Sequence, residues 1–309
     1  MMFLCTTLVE ISEIPELESC TVCHRQKERD EMTWEFLTIY WRDMLRFVRF
    51  RIALVVSLIQ PALWMALYGA AMSSNFSRLS SGMAVPAGET AVSYLTFMGA
   101  GVIALTTLFT SLFGGISLLF DKNWGLMREL LASPMPRNHI ILGIALSGVT
   151  KSFIQVMVVM VFGIFIGVDF FSGYSAIETF QAVLGVLLFV GVFSLGFLFL
   201  SSAISMSMDT PEGLQAVITI LTLPLFFASN ALYPIDSSPG IVRTLAMFNP
   251  LTHLVNGVRY FAVGRDFYAI GIHYAYSSSD ILISFLALAG FAAIMFLVAR
   301  RVFAKAVVT

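Results

Sequence analysis

The stretch Asp121 to Arg137, DKNWGLMRELLASPMPR, separates two runs that are too long and too apolar for a soluble fold. Thr90 to Phe120 carries no charge, and Asn138 to Val168 carries only Lys151. About 20 apolar residues suffice to cross a bilayer, so the polar insert must lie on one side of a membrane. Asp121 or Asn123 is placed to cap a helix there. Trp124, Met127, Leu130 and Leu131 recur at helical spacing, with Lys122, Arg128 and Glu129 on other faces. Pro134 and Pro136 end the helix. About ten helical residues reach roughly 15 Å, too short to cross. A short amphipathic helix delivered by two spans suits contact with a partner at the membrane surface, and an ordinary connecting helix is the alternative.

Composition agrees with a membrane protein. The chain has 309 residues, 58% hydrophobic and 12% charged, against about 25% charged in soluble domains. A net charge of −1 says nothing about partners. No basic groove with interleaved aromatics appears, so nucleic acid is set aside.

Residues 1–31 form a polar, acidic tail, expected to be disordered and lacking the pattern of a signal peptide. Cys20-Thr21-Val22-Cys23-His24 matches the C-x-x-C-H pattern of covalent haem attachment. A metal site joined by Cys5 is a second reading, and a chance match is the preferred one. Membrane-protein character begins at Met32, which could itself be the start. Next comes a basic amphipathic helix. Phe36, Ile39, Tyr40, Leu45, Phe47 and Val48 alternate with Arg42, Arg46, Arg49 and Arg51, which places it in the membrane interface. Trp34 and Trp41 suit that depth.

Six spans follow, at about 52–72, 96–120, 152–168, 179–206, 214–234 and 281–299, in an all-α polytopic domain covering 32–309. Gln60-Pro61 should kink the first, and residues 73–93 form a loop on the far side. Gly99, Gly101, Gly114 and Gly115 permit close contacts in the second, and Gly163 with Gly167 forms a weak G-x-x-x-G signal in the third. Residues 139–150 are expected along the interface, with Lys151 snorkelling to headgroups. Asp209 or Thr210 caps the fifth helix and Pro211 lies near its first turn. Between the fifth and sixth spans, Pro224, Pro234, Pro239 and Pro250 break the chain into partly re-entrant segments. There Leu251, Leu254, Val255, Val258 and Phe261 form an apolar stripe, with Thr252, His253, Asn256 and Arg259 on other faces. His253 and Arg259 either touch a solute or pack, with packing preferred. With the N-terminus inside, only Arg78, Arg243, Arg259 and Arg265 of the 18 Lys and Arg fall outside. That asymmetry puts both termini and the 121–137 helix in the cytoplasm.

The chain holds no G-x-x-x-x-G-K-[ST] loop, no H-E-x-x-H and no G-x-S-x-G. No catalytic, cofactor or metal residue is assigned. No charge falls in the middle of the expected spans, which argues against an ion-coupled carrier. A transporter without its own energy-coupling group would draw energy from a partner. A nucleotide-independent channel or secondary carrier is the alternative.

Four pieces in this order resemble the permease subunits of ABC-2 type exporters. They are Arg42–Arg51 running into Gln60-Pro61; Glu129-Leu130-Leu131-Ala132-Ser133-Pro134 with Arg137 and Leu142-Gly143; Pro224 through Pro234 with Asn230; and Phe248-Asn249-Pro250-Leu251-Thr252-His253 with Arg259. The resemblance covers about 32–305. It implies two permease protomers paired in the cell membrane, and a cytoplasmic ABC ATPase that binds Mg-ATP beneath them. It makes Trp124, Met127, Arg128, Glu129, Leu130 and Leu131 the ATPase-coupling helix, and Arg42, Arg46, Arg49 and Arg51 the interface helix, in contact with lipid and ATPase. It sets Asn230, Pro234, Asn249, Pro250, His253 and Arg259 at the outer gate, and it implies export of a drug, lipid or lipid-linked glycan. Ile144 stands where relatives often carry Lys, and the tail has no counterpart. An absorbance spectrum tests the C-x-x-C-H motif, and a chance match expects no haem band from the purified chain.

Overall fold

The computed structural model describes residues 35–69, 71–72, 92–132, 136–234, 239–269 and 271–305. The tail with Cys5, Cys20, Cys23 and His24, and most of the expected 73–93 loop, lie outside these residues.

Helix α1, Glu35–Arg49, is the expected amphipathic helix. One face buries Ile39 while Trp41, Val48 and Phe50 remain exposed at its other face and end. Helix α2, Arg51–Leu63, contains Pro61 and passes into a π-helical turn, Trp64–Gly69. A proline removes one ladder hydrogen bond, and the wider turn that follows absorbs the mismatch.

The second apolar run is α3, Tyr94–Phe113, followed after Gly114 and Gly115 by α4, Ile116–Asn123. Asp121 therefore closes a long helix and does not cap the next one. The chain turns at Trp124 and Gly125, where Gly125 takes φ +79°, a conformation that favours glycine. The short helix α5 follows, Leu126–Ala132.

Helix α6 runs unbroken over Arg137–Ile166, which replaces the expected interfacial stretch 139–150 and separate third span. Nothing between Asn138 and Lys151 breaks a helix, and a single charge does not end one. Its 30 residues reach roughly 45 Å, more than the ~30 Å of hydrocarbon. Gly167 ends it at φ +98°, with the N–H groups of Gly167 and Val168 returning to Ile164 and Gly163 carbonyls. Gly167 is thus a helix stop, whereas Gly163 packs against Met65 and Phe170.

Helix α7, Ala176–Ser207, begins with a reciprocal capping box between Ser175 and Glu178. Helix α8, Pro211–Phe227, has Thr210 as its cap and Pro211 in its first turn, as the sequence suggests. It stops at Phe227, short of the expected 234. Helices α9, Gly240–Phe248, and α10, Pro250–Ala262, precede a hairpin of β1, Asp266–Ala269, and β2, Ile272–Ala275. The antiparallel hairpin turns at Gly271, φ +74°, and adds a small β element to an otherwise helical fold. Helix α11, Ser278–Lys305, ends the described chain.

Among the described residues, four segments are long and apolar enough to cross a membrane: Tyr94–Asn123, Asn138–Ile166, Ala176–Ser207 and Ser278–Lys305. Val55–Leu67 and Pro211–Phe227 are shorter apolar helices. Within their apolar windows, α3 and α7 are 67% and 61% buried, against 22% for α11. The first two are therefore the axis of the bundle and α11 lies at its edge. Glycine sets the tightest crossings. A Cβ on Gly101 would stand 1.9 Å from the Ala231 carbonyl oxygen, and one on Gly257 2.2 Å from the Phe189 ring. Gly101→Ala should destabilise the fold by about 1–3 kcal/mol, the usual cost of overpacking, and lower the unfolding temperature in detergent. Gly240→Ala, which meets open space, should leave it unchanged.

Candidate functional site

The two ends of the bundle carry different chemistry. At the end bearing α1 and α5, charges strap the helices together. Asp121, on α4, is 1% exposed. Arg42 and Arg46 stand one turn apart on α1, so both face it, with Arg42 Nη2 2.5 Å from Oδ2 and Arg46 Nη2 2.8 Å from Oδ1. The reverse pairing lies on the next face of α1. Asp43 Oδ2 accepts from Ser147 Oγ and from Lys151 Nζ, residues one turn apart on α6. Helix α1 thus gives cations to α4 and an anion to α6. Lys151 does not reach for headgroups. It lies midway along α6, its charge matched by the buried Asp43. Gly143 is the crossing point, where a Cβ would stand 2.7 Å from the Phe36 carbonyl oxygen.

Lys122 makes the third tie. Its Nζ donates to the Met208 carbonyl and the Asp209 carboxylate, each at 2.8 Å, and to the Met206 carbonyl at 3.3 Å. The carbonyls at a helix C-terminus lack intrahelical partners and carry partial negative charge, so a lysine at the end of α7 satisfies both. Its hydrogen bond and charge hold the Asp209 carboxyl below the usual range. A depressed carboxyl contributes above its unfolded pKa of about 4 and loses that contribution as pH falls through the folded value.

The short helix α5 hangs below these ties. Met127 is buried with Leu118, Ile140 and Ile144, and Leu130 packs on the same cluster. Trp124 leaves that face and stacks on Phe120, 5.4 Å between centroids, while 70% exposed. Arg128 and Glu129 are exposed. The side chain of Leu131 lies outside the described residues. Arg49 and Arg51 are exposed beyond the straps. Of the four expected interface arginines, Arg42 and Arg46 are thus committed to Asp121 and only Arg49 and Arg51 face outward.

At the other end, Arg259 holds the Asn230 carbonyl and Asn249 holds the end of α8. Helix α8 stops at Phe227, and the carbonyls after the break are held by side chains. Asn249 Nδ2 donates to the Leu225 and Ala228 carbonyls at 2.7 and 2.9 Å. Arg259 Nη2 donates to the Asn230 carbonyl at 2.6 Å, and Tyr94 OH to the Leu232 carbonyl at 3.2 Å. Asn230 Nδ2 reaches Asn256 Oδ1 at 2.6 Å. Pro234 is buried just beyond, and Asn249 with Pro250 begins α10. His253 lies between Ser284 Oγ, 3.2 Å, and the Met247 carbonyl, 3.0 Å. Arg259 is fully buried, its guanidinium 3.6 Å from the Phe97 ring centroid and covered by the hairpin through Tyr274. The geometry gives both residues packing roles. Beside the hairpin, a cleft of about 660 Å³ is lined by Thr96, Asp169, Tyr174, Glu178, Tyr260 and Arg265 among others. Burial raises the Tyr174 phenol above its usual range there.

The family model of the ABC-2 type transporter matches residues 35–262. The chain belongs to the ABC-2 type transporter family. That span runs from α1 through the whole of α10, so it includes the strap residues and the six expected gate residues but not the hairpin. The transport permease ycf38 of Cyanophora paradoxa is 29% identical over 73% of this chain and 73% of its own length. The daunorubicin resistance ABC transporter permease protein DrrB1 of Streptomyces coeruleorubidus is 22% identical over 76% of this chain and 78% of its own. Nodulation protein J of Rhizobium meliloti is 22% identical over 78% and 86%. This ABC-2 permease is therefore a membrane transport component of a family that works with ABC ATPase subunits.

The sequence does not single out Asp43 as a strap residue, and it gives Asp121 and Lys151 the wrong tasks. The usable signal was the i, i+4 pair Arg42 and Arg46 beside an Asp that follows 31 uncharged residues. Asp121→Asn should cost about 2 kcal/mol. That is below the about 3–5 kcal/mol of a fully buried pair, since both guanidinium groups keep roughly a third of their surface in solvent. Faster tryptic cleavage after Arg42 and Arg46 in mild detergent would report release of α1. Unchanged cleavage would mean that the apolar face alone holds it.

Proposed function

We propose that this permease is the membrane subunit of an ATP-driven exporter whose energy comes from a separate cytoplasmic ABC ATPase. The observation that carries the reading is the placement of α5. It is anchored by Met127 and Leu130, turns Trp124, Arg128 and Glu129 outward, and is joined to α4 through one glycine turn. A helix held on one face and open on the other fits a cleft in a partner. Mg-ATP is bound by that partner. The basic end is cytoplasmic by the distribution of Lys and Arg, and the hairpin end faces outward in the cell membrane. The segments from Asn230 to Arg259 then form the outer gate.

Two protomers pair in this reading. Support comes from the apolar side chains that α2, the π-helical turn after it and α8 leave uncovered, including Ile59, Leu63, Leu67, Leu223 and Phe227. The substrate class is an amphiphile. The relatives' names attach one to daunorubicin resistance and another to nodulation, and an apolar bundle suits a partly apolar cargo.

A pulldown of the tagged permease from its native membrane in gentle detergent tests the proposal. The expected result is a co-purifying protein with a phosphate-loop ATPase domain. It should be lost when Arg128→Glu, Glu129→Arg and Leu130→Asp are combined. A permease that emerges alone, or retains the ATPase with α5 altered, overturns the assignment of α5.

A further inference from the structure

The long helix from Tyr94 to Asn123 is interrupted by a side chain from another helix. Ser201, on α7, is fully buried. Its Oγ donates to the Leu112 carbonyl and accepts the Gly115 N–H at 3.1 Å. Both groups would otherwise belong to the helix's own i→i−4 ladder, and a hydroxyl inserted there is a recognised cause of a kink. Glycine is what admits it. A Cβ on Gly115 would stand 2.4 Å from Ser201 Oγ and 2.5 Å from Ser205 Oγ, and one on Gly114 2.4 Å from Leu198.

What lies on either side of the break differs. Above it, α3 is almost wholly buried on the axis of the bundle. Below it, α4 carries Asp121, strapped to α1, and Lys122, tied to the end of α7, and then leads into α5. The lower piece leads directly into α5, the helix that would meet a partner, and its ties are two side chains at its end, whereas the upper piece is packed along its length.

We infer that Gly114-Gly115 is a joint and that Ser201 is the positioning residue that keeps it open, so that α4 and α5 swing as one lever against α3. Ser201 touches no substrate; it acts by holding two backbone groups out of the ladder. Without the hydroxyl the ladder closes and α3 and α4 become one stiff rod. The inference deepens the exporter reading and rests on it for the force that drives the lever.

The test uses the permease with its co-purified ATPase. Cys5, Cys20 and Cys23 are replaced by Ser, and spin labels are placed at Ala132→Cys and Ile177→Cys, both exposed positions. Ser201→Ala is the main variant. Ser201→Cys, which keeps the side chain's size but is a weak donor and acceptor, serves for the exchange comparison if the first fails to fold, and Ser205→Ala is the control because, among the described residues, its Oγ bonds only to its own helix, at the Ser201 carbonyl. Expected for Ser201→Ala are hydrogen exchange over 112–119 slower by about tenfold, retained ATP hydrolysis, and loss of the ATP-driven change in label distance. Ser205→Ala should match the parent in all three. Equal or faster exchange in Ser201→Ala, or a full distance change, overturns the joint. If no ATPase accompanies the permease, the exporter reading falls, while the exchange comparison, which needs no partner, still decides whether Ser201 holds the helix open.

Discussion

A carboxylate buried at the end of an apolar helix sets the terms for the rest of this molecule. Asp121 ends some 30 residues without charge, and burying it alone would cost several kcal/mol. Two guanidinium groups one turn apart on α1 remove that cost, and they can do so only if α1 lies across the base of α4. Once α1 is there, its own Asp43 faces α6 and needs a cation, which Lys151 supplies. The close crossing at Gly143 belongs to the same placement. The three helices are ordered by charge matching, with the apolar cluster around Met127 and Ile140 filling the space between.

The opposite end solves a different problem. A helix that stops inside a bundle leaves carbonyls with no partners, and lipid offers none. Here amide, phenol and guanidinium side chains from α3, α10 and the segment before it supply them one by one. Gly101 lets α3 approach the Ala231 backbone closely enough for this. The buried Arg259 gives one of its donors to a carbonyl and lays its guanidinium over the Phe97 ring.

Much of this was legible in the residues. Apolar run lengths locate the helices Tyr94–Asn123 and Ala176–Ser207 to within a few residues but misplace the start of α6, and Thr210-Pro211 marks a helix start by chemistry that acts locally. The order of the four family pieces pointed to the right family. What the chain could not reveal depends on partners distant in sequence. Asp121 reads as a cap because capping is the commonest task of an Asp at that position. Only the proximity of α1, whose Arg46 lies 75 residues away in the chain, makes it the counter-ion instead. Lys151 reads as a snorkelling end for the same reason. The hairpin had a local signal, alternation on both sides of Gly271, which the proline-broken context hid.

Asn249 shows how narrow the chemistry of the gate region is. Its Oδ1 accepts the Leu251 N–H at the start of α10, while its Nδ2 donates to two carbonyls at the end of α8. Aspartate and serine cap helices about as well as asparagine, and threonine somewhat less well. Aspartate, however, has no proton to give at neutral pH, and a hydroxyl has one where two are used. Among the usual capping residues, only the carboxamide can bracket one helix's start and another's end with a single side chain. The start of α10 and the broken end of α8 therefore share one set of hydrogen bonds, and neither can shift far without the other.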